Sequence, residues 1–351
     1  MNALIAYLKK LYARVWDWLG DVRKNKDVVP ALSARQQVLI IIPHDKSWWA
    51  VNAVQHFVAT LRDQMGYGQA PQIDIVSIRS SAEVLAALLA TIHNRESCDL
   101  IVTTGSWITQ ETRNHLDTLS NPPAHIFCGV IDPVGLGIVD SLDRPGRQVS
   151  GVATVQFDFG LQVDMLKALR PELKSLAILC GAVSGNTGIS NLVARQIERF
   201  STECKARHVK VVVIKLIKTT EIEPLIRAAR DEHDIGVACV LNDLFISANL
   251  ERLIAACEAV GVPLCTNELS SVYHGVAIGF GEHGGVYGMH AASLAYDLLV
   301  HNHSLAVTPV IVPPIQPSMR YNYDAMQAQG LILATNTKHL LSMVSVFFHS
   351  K

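Results

Sequence analysis

The chain is expected to fold as an α/β protein. Two doubly wound, Rossmann-like lobes with parallel sheets are joined by a hinge, and an amphipathic helix precedes them. Three observations predict this. Strand-like segments are continuous runs of Val, Ile and Leu, as parallel strands covered on both faces require. Each run is followed by a segment of helical period. The alternation comes in two series of similar length, separated by a stretch rich in Gly, Pro and polar residues around Arg144 to Phe159. At 351 residues the chain also exceeds what one core comfortably holds.

In the first series, "VLIII" is a strand and Ser47 to Arg62 a helix. "IDIVSI" is a strand, Ala82 to His93 a helix, "DLIVTTG" a strand, Ser106 to Leu119 a helix and "AHIFCGVI" a strand. In the second, Gly160 to Leu169 is a helix and "SLAILCG" a strand. Asn191 to His208 is a helix, "VKVVVIKLI" a strand, Glu221 to Glu232 a helix, "IGVACVLND" a strand and Ile246 to Val260 a helix. "VPLCT" and "GVAIGF" follow as strands, then Val286 to Leu299 as a helix. "VTPVIVPP" reads as extended, and Tyr323 to Gln329 as a short helix.

The first residues have their own pattern. Leu4, Leu8, Leu11, Val15, Trp18 and Val22 recur at helical spacing, with Lys9, Lys10, Arg14, Asp17 and Asp21 opposite. The segment up to Pro30 carries six basic and three acidic side chains. The stripe suits a membrane surface or a helix docked on the protein or a second subunit. "RKNKDVVPALSARQQ" reads as a linker.

Composition excludes several classes. Net charge is −1, aromatic content is 6%, and no Lys/Arg block appears, so nucleic acid is not an expected partner. The longest run free of charge, Leu298 to Met319, is broken by four prolines and cannot span a membrane. The seven cysteines contain no C-x-x-C, and four lie in or beside apolar runs, which fits buried reduced thiols. H-E-x-x-H, G-x-S-x-G and Walker patterns are missing. His301 and His303 read as a surface turn. His283 and His290 share a helix face without a third ligand. No enzyme, cofactor or metal is expected.

Ligands of open parallel sheets sit beyond the carboxyl ends of the strands. Here those ends read "PHDKSWW", "TTGSW" and "IDPVG" in the first half, and "CGAVSGNTG", "LNDLF", "CTNE" and "GFGEHGG" in the second. Two such rims make a cleft for a small polar ligand. Gly279, Gly281 and Gly284 spell G-x-G-x-x-G. A dinucleotide site would place this motif in the first βα turn, with an acidic residue about twenty positions on. Here it follows a late strand and no such residue follows.

"LIVTTGSWITQ", "IFCGVIDPVGLGIVDSLDRPGRQVSGVAT" and "LNDLFIS" resemble the substrate-binding proteins of a group of bacterial ABC transporters, which includes tryptophan- and tyrosine-type binders. The most specific stretch runs from Asp132 to Gly151, and the resemblance covers about residues 36 to 340. It implies a type I periplasmic-binding-protein fold, with a hinge crossed three times and the ligand between the lobes. It implies lobe 1 at 36–152 plus 283–308 and lobe 2 at 153–280 plus 312–345, after residues 1–30 as helix and linker. It also implies that the glycines at 279–284 return the chain to the first lobe. A transporter permease is the implied partner. Family members are exported or lipid-anchored. This chain shows neither export signal nor lipobox cysteine, so it is expected to be cytoplasmic or associated with the inner membrane as it stands.

Candidate ligand residues follow from the rims. Thr103, Thr104, Gly105 and Ser106 offer hydroxyl and N–H groups to a carboxylate or carbonyl, or cap a helix. Asp132 suits an ammonium group, or the turn before Gly135. Asn186 and Thr187 occupy a loop where the family has Asn-Ser. Asn242 and Asp243 match the family's Asp-Asn position with the order changed. Asp45, Ser47 and Trp48 follow the first strand, and Trp48 or Trp107 either stacks on a ligand or packs. Phe280, Glu282 and His283 lie at the crossing, with Glu282 expected in solvent. The function expected is capture of a small polar metabolite, an amino acid, for an ABC-type uptake system by hinge closure. The alternative is a cytoplasmic sensor or regulatory subunit on the same fold, with the N-terminal helix as its partner or membrane contact.

Overall fold

The computed structural model describes residues 36–43, 48–66, 69–94, 98–154, 158–181, 187–241, 244–281, 283–314, 318–331 and 345–348. The expected helix at Leu4 to Val22 lies outside them, as do Asp45, Ser47, Asn186, Asn242, Asp243 and Glu282.

The first sheet is built from β1 (Gln37–Pro43), β2 (Gln72–Ile78), β3 (Leu100–Thr104), β4 (Ala124–Ile131) and β5 (Val149–Thr154). Its order is β2-β1-β3-β4-β5, and every pairing is parallel. The run "VLIII" is central and at most 2% exposed. Connections run through α1 (Trp48–Met65), α2 (Ser81–Asn94) and α3 (Ser106–Leu116). One sheet face packs on α1 through Ile40, Val102 and Phe57. The other packs on α2 and α3 through Ile41, Leu88 and Ile108.

The second sheet has β6 (Ser175–Gly181), β7 (Lys210–Leu216), β8 (Val237–Val240), β9 (Leu264–Thr266), β10 (Ile278–Gly281), β11 (Ser318–Tyr321) and β12 (Ser345–Phe348). The order is β12-β11-β10-β9-β8-β6-β7, with only the β10–β11 pairing antiparallel. Its helices are α4 (Phe159–Leu169), α5 (Thr187–Ala206), α6 (Ile222–His233), α7 (Leu244–Ala248) and α8 (Leu250–Val260). The chain continues through α9 (Gly284–His301) and α10 (Tyr323–Ala328).

The chain passes between the sheets three times. β5 closes the first sheet before α4 and β6 open the second. After β10, α9 packs against α1 of the first. Residue 311 then lies beside β5, where Ala153 N–H donates to Ile311 O and Ile311 N–H to Gly151 O, before β11 rejoins the second sheet. Among the described residues, no helix is long and apolar enough to cross a membrane.

The return through α9 accounts for the glycines. A Cβ at Gly284 would lie 2.2 Å from the carbonyl oxygen of Trp49, and one at Gly288 would lie 1.9 Å from that of Ala53. Two helix backbones touch there, and only glycine leaves room.

Four details differ from the sequence reading. "VSGVAT" forms β5, although its composition reads as a connection. Its Ser150 hydroxyl is satisfied by Thr308 O at 2.9 Å, which removes the cost of a polar residue in a buried strand. The helix expected over 246–260 is two, α7 and α8, parted at Asn249, whose side chain donates back to Phe245 O at 2.8 Å. β11 (SMRY) carries no apolar run to announce a strand, and β12 (SVFF) falls in a tail not read as a strand.

Candidate functional site

β1, β3 and β4 end at one edge of the first sheet, and β9 and β10 end at the facing edge of the second. The groups at these ends define the candidate cleft.

Thr103 turns inward. Its hydroxyl lies 2.8 Å from Thr109 Oγ1 and 2.8 Å from His125 Nε2, and Thr109 Oγ1 donates to Gly105 O at 2.7 Å. This buried chain fixes the end of β3 against the start of α3. Burial holds the His125 imidazole well below its usual pKa, with Arg113 adding to the effect, so the ring is neutral.

Thr104 points to the opposite face, by strand alternation. It is 2% exposed and its Oγ1 has no hydrogen-bond partner. Gly105 follows as the N-cap of α3 with φ 80°, and a Cβ there would meet only open space. No side chain caps α3. The capping role expected of Ser106 goes elsewhere. Its Oγ accepts from Ile131 N–H at 2.9 Å, tying the end of β4 to α3. The first N–H groups of α3 are therefore free of side-chain acceptors at the cleft, an arrangement that suits an anion.

β4 carries a bulge between Cys128 and Val130, with Gly129 at φ 70°. The Trp49 indole lies on Gly129, where a Cβ would be 1.9 Å from the ring, and Trp49 packs on Tyr287 at 5.3 Å. Trp49 is an aromatic residue at this junction. Trp107 is half-buried and packs against the apolar clusters on both sides of α3. The side chain of Trp48 lies outside the description.

Asp132 follows the bulge at φ 51°. Its Oδ1 accepts from Gly135 N–H at 2.9 Å, and its Oδ2 accepts from Arg195 Nη2 at 2.7 Å. Arg195 sits on α5, so the pair joins the two lobes. The turn role and an ionic role thus coexist, and both carboxylate oxygens are occupied.

Glu268, two residues past β9, makes a second link. Its Oε1 accepts from Trp49 N–H in α1 at 2.9 Å and from Ser270 Oγ at 2.9 Å. A second-lobe carboxylate thus meets the N-terminus of a first-lobe helix, where negative charge is favoured. Burial raises its pKa above the ordinary range, opposed by bonds from Ser270, Trp49 and Ser271. Next to it, Asn267 is 7% exposed and its Oδ1 has no partner. Sequence reading misses Trp49, Arg195, Asn267 and Glu268 as site residues. The "CTNE" strand end is the one signal pointing to the last two.

Phe280 is 8% exposed and belongs to the large apolar cluster that runs from β4 of the first lobe through α4 into the second sheet. Its register partner on β11 is Met319. Thr187 begins α5, with its side chain outside the description. His283 Nε2 lies 2.6 Å from Arg320 Nη2, whose Nη1 donates to Tyr273 Oη at 2.7 Å, bracing the second passage against the third. Among the described residues, no group of three or more His, Cys, Asp or Glu is placed to hold a metal.

Residues 37–336 match the family model described as ABC transporter substrate binding protein, and the chain belongs to that family. It is similar to a tyrosine-binding protein of Clostridioides difficile, at 24% identity over 62% of this chain; the match spans 60% of that relative's length. Among solved structures it resembles an ABC domain in complex with L-Trp from Streptococcus pneumonia, with TM-score 0.71 and 17% identity over 89% of this chain and all of the other. It also resembles a ligand-free, open substrate binding protein with adhesive properties from Clostridium difficile. There the TM-score is 0.61 and identity 18%, over 90% of this chain and all of the other.

Proposed function

We propose that this protein captures an amino acid between its two lobes and delivers it to the permease of an ABC-type uptake system. The observation that carries the reading is the open end of α3. Uncapped helix N–H groups, the unpartnered Thr104 hydroxyl and the clear space before Gly105 form a receptor for a carboxylate. The tyrosine and L-Trp named for two similar proteins support an aromatic amino acid. Closure follows if ligand touches both rims, because only differential contact shifts the open–closed equilibrium. Three passages of chain supply the hinge.

The test is a thermal-shift screen of the full chain, after unfolding and refolding to strip carried-over ligand, against amino acids, sugars and nucleosides. Ligand at a hundred times its dissociation constant adds roughly 2.7 kcal/mol. A shift with one amino acid that is lost in Thr104→Val supports the reading. A shift confined to sugars or nucleosides contradicts it.

A further inference from the structure

The proposed ligand carries an ammonium group, and Asp132 is one acceptor expected for it from sequence; Asp243, another, lies outside the described residues. Both oxygens of Asp132 already have partners, Gly135 N–H and Arg195 Nη2. At the second-lobe rim, Glu268 Oε1 is likewise taken, by Trp49 N–H and Ser270 Oγ. Asn267 is different. It lies one residue beyond β9, with only 7% of its surface exposed, and its carboxamide oxygen is unpaired. More than about nine in ten buried polar groups in folded proteins are paired, so an orphan acceptor calls for a reason. The turn around it is well held, since Thr266 Oγ1 accepts from Glu268 N–H at 3.2 Å. Its chain neighbour Glu268 is itself in contact with α1 of the first lobe. Asn267 therefore lies one residue from a contact between the two rims.

We infer that Asn267 is a ligand-reading residue of the second lobe, its Oδ1 accepting a hydrogen bond from a donor of the ligand, the α-ammonium group of an amino acid. This rests on the function proposed above and adds the group that distinguishes an amino acid from a plain carboxylic acid. The first-lobe end of α3 would bind either one. A site built to hydrogen-bond one substrate group discriminates strongly against the analogue that lacks it.

The experiment compares wild type with Asn267→Leu by calorimetric titration. The probes are L-tyrosine, L-tryptophan and their des-amino analogues, 3-(4-hydroxyphenyl)propionate and 3-indolepropionate. The expected result is a roughly ten- to hundredfold loss of amino-acid affinity in the variant, as for a hydrogen bond to a charged group. Affinity for the des-amino analogues is unchanged. Melting without ligand gives the second readout. Removing an unpaired buried acceptor leaves the melting temperature equal or higher. Equal losses for both probe types, no loss at all, or a variant that melts lower without ligand would each overturn the assignment while leaving the proposed function standing. Wild type that binds neither amino acid overturns both.

Discussion

Arg195, on α5 of the second lobe, places its Nη2 2.7 Å from Oδ2 of Asp132, at the end of β4 in the first. The pair bridges the two lobes and remains partly solvated, with side chains 46% and 27% exposed. Exposed ion pairs contribute about 0.2–1 kcal/mol and weaken with salt.

Arg195→Ala is therefore expected to shift the lobes toward the open state and weaken ligand binding about 1.5- to 5-fold. Raising salt to about 0.5 M should reproduce most of the effect in wild type and add little in the variant. Titration calorimetry at two salt concentrations checks this. An affinity unchanged by the substitution would mean that the pair does not favour closure.

The contact of α9 with α1 predicts a stability effect. Gly288→Ala drives a Cβ onto Ala53 O, a backbone atom that cannot rotate away. Overpacking of this kind costs about 1–3 kcal/mol, occasionally more. The urea midpoint should fall accordingly. Gly137→Ala, with φ 68° but nothing within 4 Å of the added Cβ, provides a control in which backbone strain acts alone.

Two buried groups give stability opposite pH slopes. The Glu268 pKa is raised in the native state, so the folded protein holds that proton more tightly than the unfolded chain. Its contribution is fully present below the ordinary glutamate range and is lost as pH rises through the raised native value. Glu268→Gln should flatten that segment of a melting-temperature profile. His125 is depressed, so its contribution is lost as pH falls below the ordinary histidine range, roughly 6.5. His125→Gln should flatten the second segment.

Six of the seven free thiols are buried, and only Cys98 is partly accessible. Burial pushes Cys204 and Cys257 up to about 12, far from thiolate chemistry at neutral pH. Ellman's reagent should titrate Cys98 in the native protein and all seven thiols after denaturation.

Strands with long apolar runs were legible in the sequence because burial on both faces leaves no other composition open to them. "AHIFCGVI" and "SLAILCG" begin and end where the structure has β4 and β6. β5 was not legible. Its Ser150 and Gly151 look like loop residues until residues 308–311 arrive from elsewhere in the chain to satisfy them. The candidate site divides the same way. Thr104 and Gly105 stand at the end of an obvious strand, and the rim rule finds them. Arg195 lies within a helix, as one of several surface arginines, and only the packing of two lobes brings it to Asp132. Glu268 and Asn267 follow a three-residue strand, and Glu268 gains its meaning from a helix more than two hundred positions earlier.

The central claim is that one amino acid is held between the lobes and closes them. Small-angle scattering of the full chain, stripped of carried-over ligand, tests it most directly when paired with calorimetric titration of L-tyrosine and L-tryptophan. The expected result is saturable one-to-one binding of an aromatic amino acid and a smaller radius of gyration at saturation. Saturable binding with an unchanged radius would contradict closure. An absence of binding by any amino acid would contradict the account as a whole.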